Sequence, residues 1–212
     1  MLGFVADRPV KSVLCIGAHS DDIEIGCGGA LLHLARSFPQ AHFHWVVLSG
    51  SPLRAREARA SAAAFMRGHH FTLTCATFRD GYFPFQGEAL KEHFETLKPI
   101  KPDIIFTHRR EDAHQDHRQV AQLTWNTFRD HCILEYEIPK WDGDLRTPNV
   151  YVRLDKAIAA KKTRLLIKHF GTQRNKHWFT PDTFLGLLRL RGLECASPSG
   201  FAEGFHGYKI AL

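Results

Sequence analysis

The stretch "SVLCIGAHSDDIEIGCGGALLHL", residues 12–34, decides how the rest of the chain is read. Val13–Ala18 is a short apolar run of strand formers. Glu24–Arg36 carries Ile25, Leu31, Leu32 and Leu34 with small residues between them, a pattern suited to a helix packed closely on a sheet. Between the two, a histidine and two adjacent aspartates stand at the mouth of a buried strand. Packing gives no reason for them. Repulsion between Asp21 and Asp22 argues against them, unless something positive sits there.

Working outward, His42–Gly50 reads as a second strand and the Ala- and Arg-rich segment Leu53–Met66 as a helix. Phe71–Phe78 alternates like a third strand. Gly87–Leu97 is helical and stopped by Pro99. Asp103–Thr107 is a fourth strand, Gln115–Arg129 a helix and Cys132–Ile138 a fifth strand. Asp155–His169 and Asp182–Leu190 have helical patterns, and "GYKIAL" at the end suggests a short final strand. Strand and helix alternate through residue 138. The expectation is an α/β, Rossmann-like doubly wound sheet, mostly parallel, of order 3-2-1-4-5 at its core, with helices on both faces and one domain over residues 1–212. Ile138–Asn149 reads as a long loop inside that domain, and loops of this length are often functional.

The bulk numbers exclude several classes. With 212 residues, 44% hydrophobic and 24% charged, the chain resembles an ordinary globular protein with a sizeable core. No signal peptide or membrane span is read in it. The five cysteines are odd in number, widely spaced and without a C-x-x-C, which fits a reduced, cytoplasmic setting. The net charge is +6, from 28 basic and 22 acidic residues, but the basic residues are scattered. A solvated surface or an anion-binding rim fits them better than a nucleic-acid face.

A second polar cluster, "EDAHQDH" (Glu111–His117), follows the fourth strand. In order 3-2-1-4-5 the first and fourth strands are neighbours where the order reverses, and ligands bind at the carboxyl ends of the strands there. The two clusters therefore converge. His19, Asp22 and His117 then supply two imidazoles and a carboxylate, a common zinc shell with an open position for water; the same set suits Fe2+. A bound cation answers the Asp21–Asp22 repulsion. Asp21 is left to serve as general base. His114 and Asp116 remain, and a carboxylate bonded to the imidazole favours its protonated form, able to stabilise an oxyanion or protonate an amine.

"AHSDD" and "HQDH" resemble the signatures of the LmbE/PIG-L-like metal-dependent N-acyl deacetylases. The resemblance covers most of the chain. "LRAREA" is similar to the family's R-x-x-E segment, giving Arg54 and Glu57, and "FRDGYFP" to a segment with a substrate-contacting aspartate, Asp80. "KKTRLLIKHFGTQ" and "AEGF" loosely match its tail elements. The resemblance implies zinc on His19, Asp22 and His117, Asp21 as base assisted by His114 with Asp116, and Arg54 and Asp80 holding sugar hydroxyls or an anionic group. Ser20 stands where the family has proline, which frees the turn. The implied substrate is a small N-acylated amino sugar, anionic or nucleotide-linked forms included, hydrolysed to acetate and a free amine, with no nucleic acid and with homo-oligomerisation left open. The rivals are an amidase acting on another small conjugate, and a non-catalytic sugar-nucleotide or nucleic-acid binding module, which has no need of Asp21.

Plainer roles stand beside these. Asp22 alone is a natural N-cap, Asp80–Gly81 a natural turn pair, and Arg54 an ordinary helix-surface charge. "GCGGA" (Gly26–Ala30) superficially matches a nucleotide-binding loop, but close helix–sheet packing explains it better. His206 is the partnerless histidine most in need of checking.

Overall fold

A computed structural model describes residues 8–209. Seven strands form one sheet: β1 (Ser12–Gly17), β2 (His42–Val47), β3 (His70–Cys75), β4 (Ile104–Thr107), β5 (Cys132–Tyr136), β6 (Val150–Leu154) and β7 (Phe201–Gly207). Their order is β3-β2-β1-β4-β5-β7-β6. The first five pair in parallel in the expected order, and β7 lies antiparallel to both β5 and β6. Six helices accompany them: α1 (Asp22–Ser37), α2 (Pro52–Phe65), α3 (Gly87–Glu95), α4 (Gln115–Thr127), α5 (Lys156–His169) and α6 (Pro181–Glu194).

Alternation along β1 shows why the sheet needs cover on both sides. Val13 and Cys15 join a core with α1, α2, α5 and α6, while Leu14 and Ile16 join a second core with α3 and α4. Central parallel strands buried on both faces read as continuous apolar runs, as this one does. Helix starts follow capping chemistry. Ser51 Oγ accepts from the Arg54 amide ahead of Pro52, and Asp155 Oδ1 accepts from the Ile158 amide.

The C-terminal third differs from the sequence reading. Of "GYKIAL", Gly207 ends β7, Tyr208 and Lys209 are irregular, and residues 210–212 lie outside the described residues. The final strand is instead "FAEGFHG", whose alternation is broken by Gly204. Its Phe201–Phe205 stretch pairs with β6, and the sequence pattern assigns β6 to no element. A Cβ at Gly204 would approach Pro148 at 2.5 Å, so packing against the preceding loop selects the glycine that blurs the pattern.

Close packing does explain the glycines of α1. A Cβ on Gly26 would meet the Tyr136 ring at 2.2 Å, and one on Gly29 would meet Leu154 at 2.5 Å and Glu203 at 2.8 Å. Glu203 reaches from β7 to accept from the Gly29 and Ala30 amides, and pairs with Lys162 of α5, which also donates to the Ile25 carbonyl. Both charged side chains are buried. Arg36 at the end of α1 pairs with Asp155 at the start of α5, so α5 runs back along α1 and carries the segment after it toward the start of α1.

Removing one member of a buried pair strands the other's charge. Lys162→Met is expected to destabilise the fold by about 3–5 kcal/mol, and Lys162→Met/Glu203→Met to recover part of that. Urea midpoints of the three proteins check it; equal loss in the single and double variants would refute the stranded-charge account.

Candidate active site

The turn from β1 into α1 places His19 through Asp22 at the carboxyl end of the sheet, and the β4–α4 connection brings His108 through His117 beside it. Asp21 occupies the N-cap position of α1 but makes no side-chain capping bond. Asp22 is the first helical residue, and its Oδ2 folds back to accept from the His19 amide at 2.7 Å.

Three ligand-type atoms converge. His19 Nδ1 lies 3.2 Å from His117 Nε2 and 3.3 Å from Asp22 Oδ2, and the last two are 3.6 Å apart. All three side chains are buried. The outer ring nitrogens lie beside carboxylates: His19 Nε2 sits 3.1 Å from Asp80 Oδ1 and 3.5 Å from Asp116 Oδ2, and His117 Nδ1 sits 3.1 Å from Asp112 Oδ2. A tautomer with protons on those outer atoms turns the inner nitrogens on each other as lone pairs, a contact that a proton or a cation between them relieves. The surroundings ask for positive charge. Burial opposes it, yet Asp22, Asp116 and Asp80 raise the His19 imidazole well above its ordinary pKa. Burial and the neighbouring His108 push His117 down to about 3. Burial also works against Asp22, but His117, His108 and His19 hold its carboxyl well below the usual range. Two imidazoles and a carboxylate with carboxylate-braced rings suit a divalent ion such as zinc. The wider sets His19–His114–His117, Asp22–His108–His117 and His19–Asp80–Asp116 all share His19 or His117.

Asp21 points elsewhere. Its Oδ1 accepts from Arg54 at 3.0 Å, and the same guanidinium reaches Ser20 Oγ at 3.0 Å and Asp80 Oδ2 at 3.1 Å. Burial and the Asp22 charge raise the Asp21 pKa, with Arg54, His19 and Lys176 pulling against them. The sequence reading gave Arg54 to the substrate; in the structure its guanidinium is engaged by the two aspartates and by Ser20, the residue that replaces the family's proline. Glu57, one turn on, accepts from the Thr172 amide and hydroxyl, which ties α2 to the segment after α5.

The pairing of His114 with Asp116 is corrected. The Asp116 carboxylate accepts from the Gly81 amide at 2.6 Å and the Phe83 amide at 3.1 Å, and its remaining reach is toward His19. His114 caps α4 instead, its Nδ1 accepting from the Asp116 amide at 3.2 Å. Burial, followed by the nearby His19 charge, lowers the His114 pKa, so the imidazole is not favoured in the charged form.

Three residues escaped the sequence reading. His108, fully buried at the end of β4, stacks on His117 with ring centroids 3.8 Å apart and planes at 17°, its Nε2 within 3.1 Å of Asp22 Oδ2. Asp112 holds His117, and Lys140 from the β5–β6 loop holds Asp112 at 3.1 Å while also binding Asp144. The strand-end position of "TH" in β4 mirrors that of "AH" after β1, and that signal was available for His108. Nothing local marks Lys140.

The family model described as PIG-L, GlcNAc-PI de-N-acetylase, matches residues 14–128. The chain belongs to the PIG-L family. A relative from Escherichia coli K12, the uncharacterized deacetylase YaiS, is 31% identical over 172 residues, covering 75% of this chain and 90% of its own. Among solved structures, the N,N'-diacetylchitobiose deacetylase of Pyrococcus horikoshii superposes with a TM-score of 0.73 at 19% identity, over 97% of this chain and 87% of that one. GalB of Pseudomonas putida, a 4-carboxy-2-hydroxymuconate hydratase, gives 0.77 at 17% identity, over 95% and 98%. At such identities the likeness shows the fold, and the two names show that this PIG-L fold hosts more than one chemistry.

Asp116 organises the Asp80 turn. Asp116→Ala is expected to leave the Gly81 and Phe83 amides without their acceptor and to accelerate their hydrogen exchange, while Asp116→Asn, which keeps one acceptor oxygen, has the smaller effect. Unchanged protection in Asp116→Ala would overturn the assignment.

Proposed function

We propose that this protein hydrolyses the N-acyl amide of an amino sugar or amino-sugar conjugate, using a divalent ion held by His19, Asp22 and His117. The observation that carries the reading is the convergence of His19 Nδ1, His117 Nε2 and Asp22 Oδ2, each ring braced from behind by a carboxylate. Membership of a de-N-acetylase family supports the reaction class. Zinc is the ion we propose, with Fe2+ served by the same donors.

When bound, the ion supplies a Lewis acid for the acyl oxygen and lowers the pKa of water. The chain's own groups do the rest. Arg54 engages Asp21 Oδ1, which leaves Oδ2 to take the proton of the attacking water. Arg54 fixes that carboxylate in place and, through Asp80, links it to the His19 brace. His114 accepts at Nδ1, so its proton resides on Nε2, and the neutral ring donates that N–H to the oxyanion that develops at the acyl oxygen. Asp21 then returns its proton to the departing amine. Water is consumed, the C–N bond breaks, and a carboxylate and a free amino sugar leave.

Asp21→Asn is expected to keep the bound ion and the fold while losing roughly 10²–10⁴-fold in turnover. Mass spectrometry of reactions with N-acetylated sugars, with and without added Zn2+, checks it. Activity within a few-fold of wild type would assign the base elsewhere.

His19→Ala and His117→Ala are expected to lose the ion on purification, and Asp112→Asn to bind it about 10–100-fold more weakly while retaining the site. Elemental analysis and chelator competition measure both. Unchanged metal content in the two alanine variants would overturn the shell.

A further inference from the structure

The β5–β6 loop carries a side chain that the chemistry above leaves unused. Trp141 is 65% exposed, in contrast to the fully buried Trp45. Trp141 is held in place. Its Nε1–H donates to His177 Nδ1 at 3.1 Å, the ring centroids are 5.6 Å apart and the planes differ by 26°. The N–H···N bond and the small angle between the planes hold the two exposed rings together as one shelf. Trp178 braces the shelf, its ring perpendicular to Trp141 at 86° and 6.2 Å.

The shelf borders the site. Lys140, immediately before Trp141, binds Asp112, which holds His117. Lys176, immediately before His177, lies close enough for its charge to act on Asp21. Neighbouring Cα atoms are about 3.8 Å apart, so each shelf residue is the chain neighbour of a lysine whose charge acts on an aspartate of the site. The Glu57–Thr172 bonds anchor the same post-α5 segment.

We propose that Trp141 and His177 form a stacking subsite for a second ring attached to the amino sugar. The substrate class is then an N-acylated amino sugar linked to a ring with an apolar face, such as another pyranose or an aryl group. The inference rests on the amide-hydrolase reading. A rigid aromatic shelf buries the C–H face of such a ring at small conformational cost, and the contact is the same in ground and transition states. Uniform binding of this kind lowers KM and leaves kcat alone.

The test compares N-acetylglucosamine, N,N'-diacetylchitobiose, an aryl N-acetylglucosaminide and a glycoside with a flexible acyclic chain, using the zinc-loaded full chain. The two ring-bearing substrates are expected to show lower KM than the other two. Trp141→Ala is expected to raise their KM about tenfold at unchanged kcat, to leave N-acetylglucosamine unaffected, and to be partly rescued by Trp141→Phe. Equal KM across the panel in wild type, or a Trp141→Ala effect that is the same for every substrate, would overturn the subsite while leaving amide hydrolysis standing. If wild type turns over none of the sugars, the hydrolase reading fails. The shelf is then judged by tryptophan fluorescence: saturable quenching by the disaccharide, present in wild type and lost in Trp141→Ala, supports it, and quenching unchanged by the substitution refutes it.

Discussion

His19 and His117 meet through ring nitrogens 3.2 Å apart, and each ring has its other nitrogen beside a carboxylate. Two acceptors at that separation repel unless a positive charge lies between them. Much of the surrounding structure reads as the arrangement that fixes this demand. Asp22 adds a third acceptor and is itself tied to the His19 amide. Asp116 and Asp80 secure one ring, Asp112 and the stacked His108 the other. The repulsion between Asp21 and Asp22 evident in the bare sequence is resolved in two directions, since Asp21 turns to Arg54 while Asp22 faces the histidines.

That division of labour was partly visible in advance. The parallel core, its order and the meeting of the two motifs follow from apolar runs of the right length and from topology, which are local signals plus one rule about strand ends. What escaped detection depends on distant partners. His108 sits in a strand whose apolar run ends just before it, so only its spatial neighbours reveal it. Lys140 acts across a loop with no periodicity. The role of Asp116 was misread because adjacency in "HQDH" suggested a pair, whereas the helix start turns His114 to cap the backbone and Asp116 toward the amides of a different loop.

The edge formed by β6 and β7 was hidden for another reason. β7 contains glycine and glutamate where a strand pattern asks for apolar residues, and both are there for other elements: Gly204 gives room to Pro148, and Glu203 reaches the amides of α1. The weakly matched tail thus holds the middle of the first helix, about two turns on from Asp22. Replacing its charge with an apolar side chain removes an acceptor from two amides and the partner of Lys162 together.

The position of β7 between β5 and β6 has a consequence for synthesis. Emerging from the ribosome, β6 finds no neighbour in the sheet, because the strand that joins it to β5 is made some fifty residues later. Until Phe201–Gly207 arrives, α1 lacks its Glu203 acceptor and the sheet stops at β5. The order of assembly is therefore set by the tail: a nascent chain can build the five parallel strands, but it must wait for its last strand, inserted as an interior piece, before the outer part of the sheet closes.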